Sequence, residues 1–151
     1  MFDRLKTWLT EGGEDLNGGG DVLQLAMVAL LLEAARIVDG KFDQRKLRVI
    51  EGLLERRFGL SAADAGSLVA AAERKVEGSA QLFGFTQTVN ERLRRERRIE
   101  LIEMLWEVIY ADHVLDPLED SLLRRIAGLV DVSDRERGEA KRRVLQRLGI
   151  A

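Results

Sequence analysis

The sequence predicts an all-α protein, a compact multi-helix bundle, and three observations carry that reading. Proline occurs once in 151 residues, aromatics make up only 5%, and Leu, Ala, Arg and Glu are abundant, a composition that favours helix over strand. Apolar residues recur at helical spacing along most of the chain, and no stretch alternates with period two for long enough to be a strand. Helix-start residues stand at regular intervals ahead of these apolar stripes.

The elements follow in order. Phe2, Leu5, Trp8 and Leu9 share one face of a short helix, and the glycine-rich "EGGEDLNGGG" (11–20) after it reads as a flexible connection. Residues 1–20 are therefore expected to form an N-terminal amphipathic arm and linker, and residues 21–151 the domain proper. Asp21 is placed to cap an apolar helix ending near Asp39. Asp43 starts a third, with Leu47, Ile50, Leu53 and Leu54 inward and Gly59 at its end. "SAAD" (61–64) has the form of a capping box for a fourth helix running to about Glu77. "GSAQLFGF" (78–85) breaks the chain before a shorter piece from Thr86 to Leu93. Ile99, Ile102, Leu105, Trp106 and Ile109 stripe a long helix that begins in the arginine-rich run. Asp116 starts another through Val130, and Ser133 with Glu136 caps the last.

Composition narrows the function. With 24 basic and 26 acidic side chains the net charge is −2, which gives no global pull toward nucleic acid or anionic lipid. The absence of cysteine excludes disulfides, thiolate metal sites and cysteine nucleophiles, and the single histidine, His113, excludes a zinc site built from several histidines. The start, "MFDRLK", lacks the apolar run of a signal peptide. Val22–Val38, the most apolar stretch, is interrupted by Gln24, Glu33 and Arg36 and at 17 residues is barely long enough for a bilayer. A buried central helix in a cytoplasmic protein is expected instead.

The chain also repeats itself at an offset of 73 residues. Val28, Leu31, Leu32 and Ala35 fall on Leu101, Met104, Leu105 and Val108; "VDGKFD" (38–43) falls on "ADHVLD" (111–116); Val49, Ile50 and Leu53 fall on Leu122, Leu123 and Ile126. After one deletion "GLSAAD" (59–64) meets "DVSDRE" (131–136). Each half reads as a helix, an acidic turn, a second helix and a Ser-capped third, so two pseudo-repeated helix–acidic turn–helix units related by a pseudo-twofold are expected.

The acidic turns hold the candidate site. "YADHVLDPLED" (110–120) carries Asp112, Asp116, Glu119 and Asp120. Capping accounts for part of this: Asp116 as N-cap, Pro117 at the first helical position and Glu119 at the third form a near-ideal helix start. His113 matches Gly40, just past a helix end, where a positive φ is expected and histidine is tolerated. Capping leaves Asp39 and Asp112 unexplained, since a carboxylate at a helix C-terminus meets the negative end of the dipole. A hard cation, Ca²⁺ or Mg²⁺, would turn this clustered charge into ligation, although the spacing is not that of an EF-hand.

"RIVDGKFDQRKLRVIEGLL" and "EVIYADHVLDPLEDSLLRRIAGLVDVS" resemble the two acidic motifs of the TerB-like (tellurite-resistance protein B) domain family, of the form apolar-Ala-Asp-Gly-x-apolar-x-x-x-Glu. The resemblance covers roughly residues 22–148. It implies a helical bundle whose acids bind divalent cations, in bacterial systems tied to tellurite and chemical-stress resistance. The second motif keeps its aspartate and glutamate as Asp112 and Glu119 but has His113 for glycine; the first keeps Asp39 and Gly40 but has Lys46 for glutamate. A lysine repels a cation, so Asp43 would have to serve there. The ligand candidates are thus Asp112, Asp116 and Glu119, with Asp39 and Asp43 as the weaker pair.

Three function classes follow. The first is a non-enzymatic, cation-responsive module that binds protein partners. A second is a metal-free interaction domain whose acidic turns only cap helices, and a third is a metal-assisted hydrolase. "ERLRRERRIE" (91–100) has five arginines, but its interleaved glutamates and lack of aromatics point to a salt-bridged face and away from nucleic acid. Phe2 and Trp8, within residues 2–9, are placed either for peripheral membrane contact or for docking on the protein's own core.

Overall fold

A computed structural model describes residues 4–5, 20–36, 41–76, 82–113 and 115–150. Among these residues the chain forms seven α-helices and no strand. They are α1 (Gly20–Ala35), α2 (Gln44–Phe58), α3 (Ala62–Val76), α4 (Leu82–Arg92), α5 (Arg95–Ile109), α6 (Pro117–Leu129) and α7 (Asp134–Leu148), with a 3₁₀ turn at Tyr110–Asp112. The expected all-α class holds.

Helix α1 is apolar on every side, and such a helix must be surrounded to be stable in water. It packs against α2, α3, α4, α5 and α6. Leu23 and every residue from Met27 to Leu32 are fully buried. Each leucine so enclosed stabilises the fold by about 1.5–3 kcal/mol relative to an exposed one. The second long helix, α5, buries Leu101, Ile102, Met104, Leu105, Trp106, Val108 and Ile109 against α1, α2, α6 and α7. Trp106 keeps its indole N–H satisfied by donating to the Arg137 carbonyl at 3.1 Å, which ties α5 to α7.

Caps set most boundaries where the sequence places them. Asp43 accepts backbone N–H bonds from Arg45 and Lys46 at 2.8 and 3.4 Å. Gly59 ends α2 in the left-handed region at φ 67°. The Ser61 hydroxyl accepts from Asp64 N at 3.1 Å, and complete capping boxes start α6 (Asp116/Glu119) and α7 (Ser133/Glu136).

Three expectations are corrected. The first apolar helix ends at Ala35, short of Asp39: Arg36 forms an isolated bridge with Phe42, and the Asp43 N–H reaches back to the Ala35 carbonyl at 2.7 Å. The helix expected from Thr86 begins at Leu82, because Leu82 and Phe85 pack on the core and outweigh the propensity penalty of Gly84. On α2, Ile50, Leu53 and Leu54 are buried as expected, but Lys46 joins that buried stripe while Leu47 packs on the core only partly buried.

The N-terminal arm is described only at Arg4 and Leu5, which are helical. Leu5 is fully buried in the core, and Arg4 donates to the Arg57 carbonyl at 2.8 Å. Phe2, Trp8, Leu9 and the glycine-rich connection lie outside the described residues, as do the side chain of Asp21, Asp39 and Gly40. No helix among the described residues is long and apolar enough to cross a membrane.

Candidate functional site

The acidic turns are positioned by the two capped helices and by the 3₁₀ turn, which packs on α5 and also touches α2. Asp116 precedes α6 with extended backbone, and its Oδ1 accepts the Leu118 N–H at 2.7 Å. Glu119, at the third helical position, completes the box: its Oε1 accepts the Asp116 N–H at 3.0 Å. Asp43 takes the equivalent place ahead of α2. Asp112 closes the 3₁₀ turn, and His113 follows at φ 64°, the left-handed conformation expected where the first motif has glycine. Asp39 lies outside the described residues.

The residue that brings the turns together is Lys46. It stands four and seven positions before Ile50 and Leu53, on the buried stripe of α2, and only 6% of it is exposed. Its ammonium pairs with Glu119 Oε2, an ion pair whose two side chains are 7% and 17% exposed. Both oxygens of Glu119 are therefore engaged, one by the cap and one by the lysine. Burial pushes the Lys46 pKa down, and the carboxylates of Asp112, Asp43 and Asp116 oppose that by favouring the ammonium, while Arg45 adds to the lowering. The charges of three of the five candidate ligands thus favour the ammonium, and a fourth, Glu119, pairs with it. Lys46 and Glu119 are 73 residues apart, the offset at which the two motifs superpose.

The family model described as tellurite resistance protein TerB matches residues 24–142, which include both acidic turns and all the helices that hold them. The chain belongs to the TerB family. Searches of curated proteins and of solved structures found no match. The TerB match begins inside α1 and ends inside α7, so the family's unit and the helical body coincide closely.

Sequence reasoning finds the caps and the acidic residues of these two turns but misses the pairing of Lys46 with Glu119. The signal is present in the register, since a lysine at four and seven residues before two core positions lies on the inner stripe. Among the described residues no group of three or more His, Asp or Glu side chains is arranged to hold a metal ion. The arginine-rich run forms the expected salt-bridged face: Arg94 pairs with Glu96 at 2.9 Å, Arg57 with Glu100 at 3.1 Å, and Arg95 with Glu136.

Proposed function

We propose that this chain is a non-catalytic, cytoplasmic TerB-type interaction domain of tellurite and chemical-stress resistance, whose body spans 21–151 and follows an N-terminal arm and linker of residues 1–20. Its acidic turns are held by Lys46 rather than by a divalent cation, and it acts by contact with a protein partner. The observation that carries this reading is Lys46, buried on α2 with its ammonium paired with Glu119. Ca²⁺ and Mg²⁺ take six or more oxygen ligands in a compact shell, and an ammonium inside that shell repels the ion and supplies no lone pair. Asp43, Asp116 and Glu119 each have a carboxylate oxygen committed to a helix cap.

The competing reading keeps Asp112, Asp116 and Glu119, supported by Asp39 and Asp43, as ligands of Ca²⁺ or Mg²⁺. Thermal melting of the wild-type protein in chelator and in millimolar Ca²⁺, Mg²⁺, Mn²⁺ or Zn²⁺ decides between them, because a ligand bound only by the folded state raises the melting temperature. We expect no saturable shift. A shift that saturates with concentration and vanishes on chelation overturns the metal-free reading.

A further inference from the structure

Away from the acidic turns, α2 and α7 flank one face of α5. Glu103 and Glu107, one turn apart on α5, are nearly covered, and arginines reach them from both sides. From α7, Arg147 donates to both glutamates at 2.8 Å, and Arg143 donates to Glu103 at 3.1 Å. From α2, Arg57 pairs with Glu100, whereas Arg56 stands 3.9 Å from Glu107, longer than a hydrogen bond, with 69% of its side chain exposed. Leu53, Arg56, Arg57, Glu107, Arg147 and Leu148 line a cavity of about 340 Å³ at this place. Three guanidiniums and one carboxylate thus surround a buried leucine and an exposed one, and Arg56 is the least engaged of the three. Such a pocket suits an apolar side chain flanked by carboxylates.

The same chain presents that chemistry at the start of α6. Asp116, Pro117 and Leu118 are exposed in succession. Leu118, at 76%, is the most exposed large apolar side chain among the described residues. A single exposed leucine is ordinary on a soluble protein. This one follows a proline and stands within two residues of Asp116, Glu119 and Asp120, so the tip is apolar at its point and negative around it. We propose that the tip formed by Asp116, Pro117 and Leu118 docks into the arginine-lined pocket of a second copy of this chain. Docking covers Leu118 against Leu53 and Leu148 and brings Arg56 the carboxylate it lacks at close range. The tip belongs to α6 and the pocket to α2, α5 and α7, so each copy can offer both at once and the contact is heterologous. This goes beyond the reading above, since a domain that meets only other proteins needs no contact with its own kind.

The test is sedimentation velocity on the full chain in chelator, from about 10 μM to about 1 mM, at low salt and at about 0.5 M NaCl. Wild type should sediment faster as concentration rises, and high salt should reverse part of that shift. Leu118→Ser and Arg56→Glu alter exposed side chains and should each weaken association by about tenfold or more. Phe83→Ser removes another exposed apolar side chain, on α4 and outside both surfaces, and should behave as wild type. Leu118→Ser keeps an intact pocket and Arg56→Glu an intact tip, so an equal mixture should form pairs that neither variant forms alone. If circular dichroism shows that Arg56→Glu does not fold, Arg56→Gln takes its place.

A wild type that stays monomeric throughout overturns the self-contact and leaves the partner-binding function standing. The self-contact is also overturned if either variant associates as wild type does, if Phe83→Ser loses association as they do, or if the mixture forms no pair.

Discussion

The two acidic turns begin alike and finish differently. Each places an aspartate at the N-cap of the following helix, Asp43 before α2 and Asp116 before α6. In the first, the backbone folds back on itself: Arg36 bridges Phe42, its guanidinium lies 5.4 Å over the Phe42 ring, and the cap N–H bonds Ala35. In the second, the chain runs through a 3₁₀ turn to His113, and the cap N–H bonds Glu119. The difference traces to one residue per turn, lysine at 46 and glutamate at 119. A glutamate closes its own capping box; a lysine cannot, and is free to serve the other turn. Two helix starts of similar sequence have become complementary, one supplying charge that the other lacks.

The surroundings of the turns are alike. Val28, Leu31, Leu32 and Ala35 are fully buried, and so are their matches Leu101, Met104, Leu105 and Val108. Ile50 and Leu53 are in the core together with Leu123 and Ile126, while Val49 and Leu122 are both only partly covered. Gly59 and Asp131, matched after the one-residue deletion, both adopt positive φ, at 67° and 63°. Burial therefore agrees at these matched positions, while the charge is opposite at Lys46 and Glu119.

The largest test of this comparison reverses the pair. Glu119→Lys faces two ammonium groups in a largely buried space and loses the reciprocal half of the capping box on α6. It is expected to cost about 3–5 kcal/mol in denaturant unfolding. Adding Lys46→Glu should recover most of that by restoring opposite charges. The recovery should stop roughly 1 kcal/mol short, because the Asp116 N–H regains no acceptor while the Asp43 N–H already has one. A double variant no more stable than Glu119→Lys alone would mean the two positions do not act on each other.

How much of the fold and the site is legible in the sequence depends on the range of the interaction. Asp43, Asp116, Gly59 and the Ser133/Glu136 box can be placed because a cap is decided within four residues. The acidic motifs are also local, and they carry the resemblance to the TerB family on their own. The end of α1 is misplaced by sequence reading because the bonds that close it, Arg36 with Phe42 and Asp43 with Ala35, span the turn and compete with helix continuation. Lys46 stands out in the sequence as a departure from the motif that repels a cation, but its attraction to Glu119 does not. That attraction needs two helices packed side by side, and no local rule reports it. Leu5 shows the same dependence on range: its burial rests on packing against distant residues, which no local rule reports.

A smaller effect separates capping from charge at both turns. Asp43→Ala and Asp116→Ala each remove a side-chain acceptor for backbone N–H groups and should each lose about 1 kcal/mol. Asparagine, an equally good cap, should recover most of the loss at either position. If Asp116→Asn is as damaging as Asp116→Ala, then the carboxylate's charge beside Lys46 matters more than its hydrogen bond, and the turns are held chiefly by electrostatics.

The smallest expected effect asks whether the second turn keeps its histidine at a cost. His113 sits at φ 64° and is exposed, so little packing rewards its side chain. A non-glycine residue in this region is strained by roughly 1 kcal/mol, and glycine removes that strain. Glycine also gives the unfolded chain more freedom, which takes back about half of the gain. His113→Gly should therefore stabilise the protein by about 0.5 kcal/mol, seen as a higher urea midpoint at unchanged slope. Gly59→Ala should move the other way. Besides the positive φ, its added Cβ would lie 3.0 Å from Arg4 Nη1, beside the end of α2. A loss of stability in His113→Gly would show that the imidazole contributes to the turn. The histidine would then be a second feature, after Glu119, that distinguishes this turn from the first.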